Sequence, residues 1–247
     1  MTNLRTNFYP PNSPQNFATP IHALIVAAGK GSRFGTEVPK QYLKTQDKTI
    51  LQHSVARLNH PQITDLTIVI APDDKVASNL SFEFTHPIYF ACGGCERFLS
   101  VQSGVKAIIE RGASDDDWVL IHDAARPCLA LPDLAALIAK IQKTPNLIGA
   151  ILASPVTDTI KFVENHTISH TIDRSQLWAA QTPQIFRLKA LEKMLQTVIA
   201  KNLIITDEAS GFEMMGEKIA IVPSKHLNIK LTYPQDLMLI QALLTQD

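Results

Sequence analysis

The segment that most constrains this chain begins at Ile21, where Ile-His-Ala-Leu-Ile-Val runs without a break into Ala27-Ala-Gly-Lys-Gly-Ser-Arg-Phe-Gly. A short apolar run ending in alanines and glycine reads as a buried parallel strand feeding a phosphate-binding loop. Small residues let backbone N–H groups come close to phosphate oxygens, and Arg33, with Lys40 of the following Val38-Pro-Lys-Gln-Tyr, supplies charge to meet them. The loop is not of the Walker type, because no Gly-Lys-Ser/Thr closes it. It fails the dinucleotide pattern because Phe34 stands at the last glycine. A triphosphate cradle is the reading left. From this loop alone, a second one stays open, in which Gly29, Gly31 and Gly35 only shape a strand-to-helix turn.

The rest of the chain repeats the strand-helix alternation. Apolar spacing predicts a helix from about Thr49 to Leu58, a buried strand at Leu66 to Ala71, a helix beginning near Asp73 and a strand near Pro87 to Ala91. Gly93-Gly94 then opens a helix through Val101, Val105 and Ile108, followed by a strand ending at Asp123, a helix near Leu131 to Ile141 and a strand near Ile148 to Leu152. Between Ser154 and Trp178 the rhythm breaks. Thr157 to Val163 and Thr167 to Asp173 flank Glu164-Asn165-His166 as an antiparallel hairpin, after which a helix, a strand at Ile219 to Val222 and a helix from Pro234 to Leu244 restore the pattern.

These elements predict an α/β fold: a doubly wound, mostly parallel sheet spanning residues 21–247 with a protruding β-hairpin arm at about 154–178. A two-stranded ribbon is not stable alone, and docking on another subunit is one way to hold it. Residues 1–20 carry Pro10, Pro11, Pro14 and Pro20 and no apolar period, and are expected to form a disordered extension.

With 23 Lys+Arg against 23 Asp+Glu, no net field is available to hold a nucleic acid or an acidic membrane surface, so bound phosphate must be met by local charge. Three cysteines, Cys92, Cys95 and Cys128, in a chain without a secretory signal point to a reducing cytoplasm and not to a disulfide framework.

Further constellations carry the chemistry. In His122-Asp-Ala-Ala-Arg-Pro, acid and guanidinium stand three residues apart just past a strand, where Asp123 could hold Mg²⁺ and Arg126 could fork onto a phosphate. A structural Asp–Arg pair is the alternative. His122 points the other way along the strand and reads as packing behind the acid. Gly94 and Ser100, at a helix entry, suit reading a base or ribose, while Glu96 and Arg97 read as organisers of that turn. Thr159, Arg174, Thr182, Thr206 and Lys230 offer hydroxyl and cationic partners for a second phosphate, although each threonine taken singly fits a turn or cap as well.

The motifs together resemble one family, the 2-C-methyl-D-erythritol 4-phosphate cytidylyltransferases. In family order they are Ala-Ala-Gly-x-Gly-x-Arg, Pro-Lys-Gln-Tyr, Gly-Gly-x-Glu-Arg, His-Asp-Ala-Ala-Arg-Pro, Pro-Val-x-Asp-Thr, Asp-Arg-x-x-Leu-Trp, Thr-Pro-Gln, Thr-Asp-Glu-Ala-Ser and Asn-Ile-Lys. The resemblance implies a Rossmann-like nucleotidyltransferase that forms a homodimer through its arms and joins CMP from CTP to methylerythritol phosphate with magnesium. By matched position it implies that Ala27, Ala28, Gly29, Gly31, Gly94, Ser100 and Ala124 bind CTP, that Arg33, Lys40 and Lys230 act in catalysis, and that Asp123 binds the metal. Arg126, Thr159, Arg174, Thr182 and Thr206 serve the second substrate, some of them from the partner subunit. Cys95 and the N-terminal extension depart from the family pattern. A ribitol 5-phosphate cytidylyltransferase, or a nucleotide-binding module without catalysis, are the alternative readings.

Overall fold

A computed structural model describes residues 19–29 and 38–245. In chain order the strands are β1 (Ile21–Val26), β2 (Lys44–Thr45), β3 (Lys48–Thr49), β4 (Asp65–Ile70), β5 (Ile88–Cys92), β6 (Trp118–Asp123), β7 (Gly149–Pro155), β8 (Ile160–Glu164), β9 (Thr167–Ile172), β10 (Trp178–Arg187) and β11 (Ala220–Pro223). The α-helices are α1 (Ile50–Ala56), α2 (Arg97–Glu110), α3 (Leu131–Lys143), α4 (Leu188–Ala200), α5 (Glu208–Met214) and α6 (Asp236–Leu244).

Seven strands form one sheet in the order β11-β7-β10-β6-β1-β4-β5. All pairings are parallel except the two made by β10, which runs antiparallel to β6 and to β7. Buried strands need cover on both faces, and their alternating side chains divide accordingly. Ile21, Ala23 and Ile25 pack with Leu51 and Val55 of α1 and Leu134, Leu137 and Ile138 of α3. Leu24, Val119 and Ile121 pack on the other face with Val101 and Val105 of α2, Leu191 and Leu195 of α4 and Phe212 of α5. The expected doubly wound, mostly parallel sheet is thus found, with a helix layer on each side.

Three local differences from the sequence reading have physical causes. No helix forms near Asp73; the Asp74 carboxylate accepts from the backbone N–H of Val76 and Ala77 at 2.8 and 3.0 Å, and only a 3-10 turn at Ala77–Asn79 follows. Such a side-chain turn competes with helix formation. The ten-residue strand β10 escaped the sequence reading because Pro183 lies inside it, and a proline argues against a central strand. The sheet accommodates it where the β10–β7 register shifts, between Ala180 and Gln184. One helix was expected between the hairpin and the Ile219 strand, and two form: α4, and α5 capped by Asp207, whose carboxylate accepts from Ser210 N–H.

An antiparallel hairpin forms between Ile160 and Ile172. β8 pairs antiparallel with β9 from Ile160↔Ile172 to Glu164↔Thr167, and Asn165 and His166 turn between them with φ of 47° and 63°, the left-handed pair a two-residue hairpin requires. It leaves Phe162, Val163 and Ile168 exposed to between 45% and 60%. That is a large apolar load for a ribbon standing in water.

Candidate active site

Ligands of open α/β sheets sit at the carboxyl ends of the strands. There the chain has a cleft of about 880 Å³, within the range that holds a small molecule. Ala27, Ala28 and Gly29 follow β1, Gly93 to Arg97 follow β5, Asp123 and Ala124 end β6, and Lys40 and Lys230 complete the lining. Of the residues expected to meet CTP or the metal, Ala27, Ala28, Gly29, Lys40, Gly94, Ser100, Asp123, Ala124 and Lys230 therefore share one cavity. Gly31 and Arg33 lie outside the described residues.

The walls meet because small residues and side-chain clamps let them. A Cβ on Gly93 would stand 2.4 Å from the Ala28 Cβ, so the β1 and β5 loops approach closely only with glycine there. Ser100, buried at the start of α2, accepts from Gly94 N–H at 3.1 Å and fixes the glycine loop. The Pro-Lys-Gln-Tyr turn stitches three segments: Gln41 Nε2 donates to the Ala27 carbonyl at 2.8 Å, Lys40 Nζ to the Leu231 carbonyl at 2.7 Å, and the Tyr42 hydroxyl to Asp74.

Asp123 is the electrostatic centre. Its Oδ1 accepts from Arg97 Nε at 3.1 Å, its Oδ2 lies 2.7 Å from Lys230 Nζ, and Arg126 Nε stands 3.9 Å away. Burial works against the charged form, but Arg97 and Lys230 outweigh it and hold the carboxyl well below the usual carboxylate range. Arg97 continues to Glu208, to whose two oxygens Nη1 donates at 2.6 and 2.8 Å.

Behind Asp123 runs a relay of neutral groups. Burial keeps the His122 imidazole neutral, its pKa pushed down to about 4. Its Nε2 then donates to the Arg126 carbonyl at 3.1 Å, so its Nδ1 accepts from the Thr182 hydroxyl at 3.0 Å. Thr182 in turn accepts from Asp123 N–H at 3.1 Å. The backbone at the acid is thereby fixed from β10, the strand the sequence reading missed.

The residues expected to meet the second substrate are not gathered in this way within one chain. Thr182 is 5% exposed and committed to that relay. Arg126 is largely buried, donates from Nη1 to the Asn228 carbonyl at 2.6 Å, and has its pKa lowered by burial. Thr206 is exposed at the entry to α5, its N–H donating to Ser210 Oγ at 3.1 Å. Thr159 and Arg174 lie exposed on or beside the arm, Arg174 donating to the Thr157 carbonyl, and neither lines the cleft.

Arg97, read from sequence as a turn organiser, lines the cleft and holds Asp123, and Glu208 and Asn228, quoted only within motifs, were given no role of their own. Nothing local in the sequence marks Glu208 as buried. Its partner is 111 positions away.

The residues present fit a divalent ion only in a particular way. Among the described residues no three His, Cys, Asp or Glu side chains are grouped to hold a metal, and both Asp123 oxygens already face cations. Such a site suits an ion that arrives on phosphate oxygens and takes one protein carboxylate, not one caged by the protein.

A glycine-lined, cation-ringed cleft at the carboxyl edge of a doubly wound sheet defines a nucleotide-binding α/β protein equipped for chemistry at phosphorus. Residues 21–246 match the family model described as IspD: 2-C-methyl-D-erythritol 4-phosphate cytidylyltransferase. The chain belongs to this family, and so to the nucleotidyltransferase enzymes. It is 45% identical to the 2-C-methyl-D-erythritol 4-phosphate cytidylyltransferase of Psychrobacter cryohalolentis over 91% of this chain and 92% of that one. To the Acinetobacter baumannii (strain AYE) enzyme of the same name it is 43% identical over 93% and 96%. The crystal structure of the Francisella tularensis 2-C-methyl-D-erythritol 4-phosphate cytidylyltransferase superposes with a TM-score of 0.77 at 33% identity, covering 91% of this chain and 100% of that one. A crystal structure of a 4-diphosphocytidyl-2C-methyl-D-erythritol synthase gives 0.78 at 36%, covering 92% and 99%.

Proposed function

We propose that this chain transfers CMP from CTP to 2-C-methyl-D-erythritol 4-phosphate, releasing pyrophosphate and giving 4-diphosphocytidyl-2-C-methyl-D-erythritol. The convergence of Lys40, Lys230 and Asp123 on the glycine-lined cleft carries the reading. The substrate phosphate attacks the α-phosphorus of CTP in line; one P–O bond forms, the bond to the β-phosphate oxygen breaks, and pyrophosphate leaves. A phosphate dianion is already nucleophilic near neutral pH, so no general base is needed. Catalysis then consists of positioning and charge stabilisation, with Lys40, Lys230 and Arg33 facing the charge that grows on the phosphorus centre.

Ala27, Ala28, Gly29 and Gly31 bring backbone to the triphosphate, and Gly94, Ser100 and Ala124 border the base and ribose. A divalent ion, expected to be magnesium, would be held by CTP oxygens and Asp123, and it neutralises phosphate charge when bound. Thr159, Arg174 and Thr206, with Arg126 and Thr182 behind the cleft, make the second site, completed across a homodimer in which each arm reaches the partner. The exposed Val163 and Ile168, directly opposite each other across the hairpin, supply apolar surface for such docking. The enzyme is accordingly expected to sediment as a dimer and to work in the cytoplasm. Residues 1–20 are proposed to be an extension outside the catalytic domain.

A direct comparison of pyrophosphate release with 2-C-methyl-D-erythritol 4-phosphate and ribitol 5-phosphate tests the choice of acceptor. Faster turnover of the methylerythritol substrate is expected. A preference for ribitol, or CTP binding without release from either, overturns the reading.

A further inference from the structure

Arg97 and Glu208 belong to neither of the ligand groups assigned above, yet they make the most heavily bonded ion pair at the cleft. Glu208 opens α5 and is 0% exposed, and Arg97 opens α2. The guanidinium forks between two carboxylates on different elements, with Nη1 on both Glu208 oxygens at 2.6 and 2.8 Å, and Nε and Nη2 each 3.1 Å from Asp123 Oδ1. Only a planar, multi-donor cation spans two acids in this way.

The anchor end is firm. Asp207, beside Glu208, accepts from Gln184 Nε2 of β10 at 2.8 Å, and Gln184 Oε1 accepts from Ala209 N–H at 3.2 Å. The other cations near Asp123 are looser: Lys230 is a single-point ammonium whose side chain is 40% exposed, and Arg126 stands 3.9 Å away and is spent on the Asn228 carbonyl. A buried ion pair generally adds little stability over apolar residues of the same size. What this pair uniquely supplies is direction for one carboxylate.

We infer that Glu208 and Arg97 are positioning residues: Glu208 locks the guanidinium of Arg97 against the sheet, and Arg97 fixes the angle at which Asp123 faces the cleft. The inference deepens the cytidylyltransferase reading and rests on it for its kinetic consequence. Glu208 touches no substrate, and its effect passes through Arg97 to Asp123.

The test compares wild-type enzyme with Glu208→Gln, Arg97→Lys and the apolar double variant Arg97→Met/Glu208→Leu, measuring kcat, KM for CTP and the thermal midpoint of each. Displacing a reactive group by about an ångström costs roughly 10²-fold, so kcat should fall about 10- to 100-fold in all three while KM for CTP changes about threefold or less. The double variant should melt close to wild type, because apolar residues of similar size replace the Arg97–Glu208 pair and Lys230 still faces Asp123. A double variant with wild-type kcat overturns the inference, as do losses that follow the thermal midpoint or fall on KM. Should the double variant not fold, Glu208→Gln, which keeps the side-chain shape, decides by the same split. Wild-type turnover judges the cytidylyltransferase reading separately. A crystal structure of Glu208→Gln reports on the positioning whatever the substrate is: Asp123 displaced from Arg97 supports it, and an unmoved Asp123 refutes it.

Discussion

At the scale of single residues, labour is proposed to divide between a nucleotide side and an acceptor side, and two substitutions separate them. Lys40 lines the cleft and is tied to the Leu231 carbonyl. Lys40→Ala should lower kcat by about 10²-fold or more, as removal of one preorganised electrostatic donor does; turnover within a few-fold of wild type would remove Lys40 from catalysis. Arg174→Ala, on the arm side, should raise KM for the acceptor phosphate while leaving KM for CTP nearly unchanged. Equal effects on both would contradict the division. Legibility at this scale followed sequence locality. Ala27 to Gly29 and Gly94 lie in loops, and Ser100 at a helix entry, whose residue types announce phosphate or base contact, and they line the cleft. Thr182 was legible as a special residue but not as the hydroxyl joining His122 to the backbone of Asp123, because that role exists only once β10 lies beside β6. The pairing role of Glu208 was hidden for the same reason.

At the scale of elements, apolar periodicity was enough for the helices other than α5 and for the parallel strands, since each is one buried stripe or run. It failed where side chains rewrite the backbone, at Asp74, and where a proline sits in a strand, at Pro183. The β7–β10 contact depends on a glycine that periodicity does not single out. A Cβ on Gly149 would meet Phe186 Cδ1 at 2.2 Å and the Ile185 carbonyl oxygen at 2.8 Å, and Phe186 is itself stacked on Phe212 with ring centroids 4.8 Å apart. Neither the backbone oxygen nor the stacked ring has room to give. Gly149→Ala should therefore cost about 1–3 kcal/mol, the usual range for overpacking. Urea unfolding would check this, and an unchanged midpoint would show that the two strands can slide apart without loss.

At the scale of the whole molecule, the sheet has one edge for chemistry and another for a buried charge cluster. Near the amino-terminal end of the parallel strands, His22 Nδ1 is 2.8 Å from Asp65 Oδ2 and its Nε2 is 3.3 Å from Asp117 Oδ2. Burial disfavours the imidazolium, but the two aspartates outweigh it and raise the His22 pKa above its ordinary value. A group whose folded pKa is raised contributes stability that is complete below the unfolded pKa of about 6.5 and is lost as pH climbs through the folded value. His53 and His60 are shifted the other way by burial, so their contribution is complete above about 6.5 and is lost as pH falls through their folded values. Stability should therefore decline on both sides of that region. His22→Gln should flatten the alkaline decline in particular; an unaltered slope in denaturant titrations across pH 6 to 9 would show that the His22 cluster does not hold a proton.

We place the phosphate chemistry at the α-phosphorus of a nucleotide proposed to lie against the Ala27–Gly29 loop. Turnover with CTP radiolabelled at that phosphorus, in the presence of 2-C-methyl-D-erythritol 4-phosphate, tests this claim most directly. All transferred label should appear in the cytidine diphosphate-linked polyol, with unlabelled pyrophosphate released in equal amount. Label in pyrophosphate or free phosphate, or CMP formed without the polyol, would contradict it.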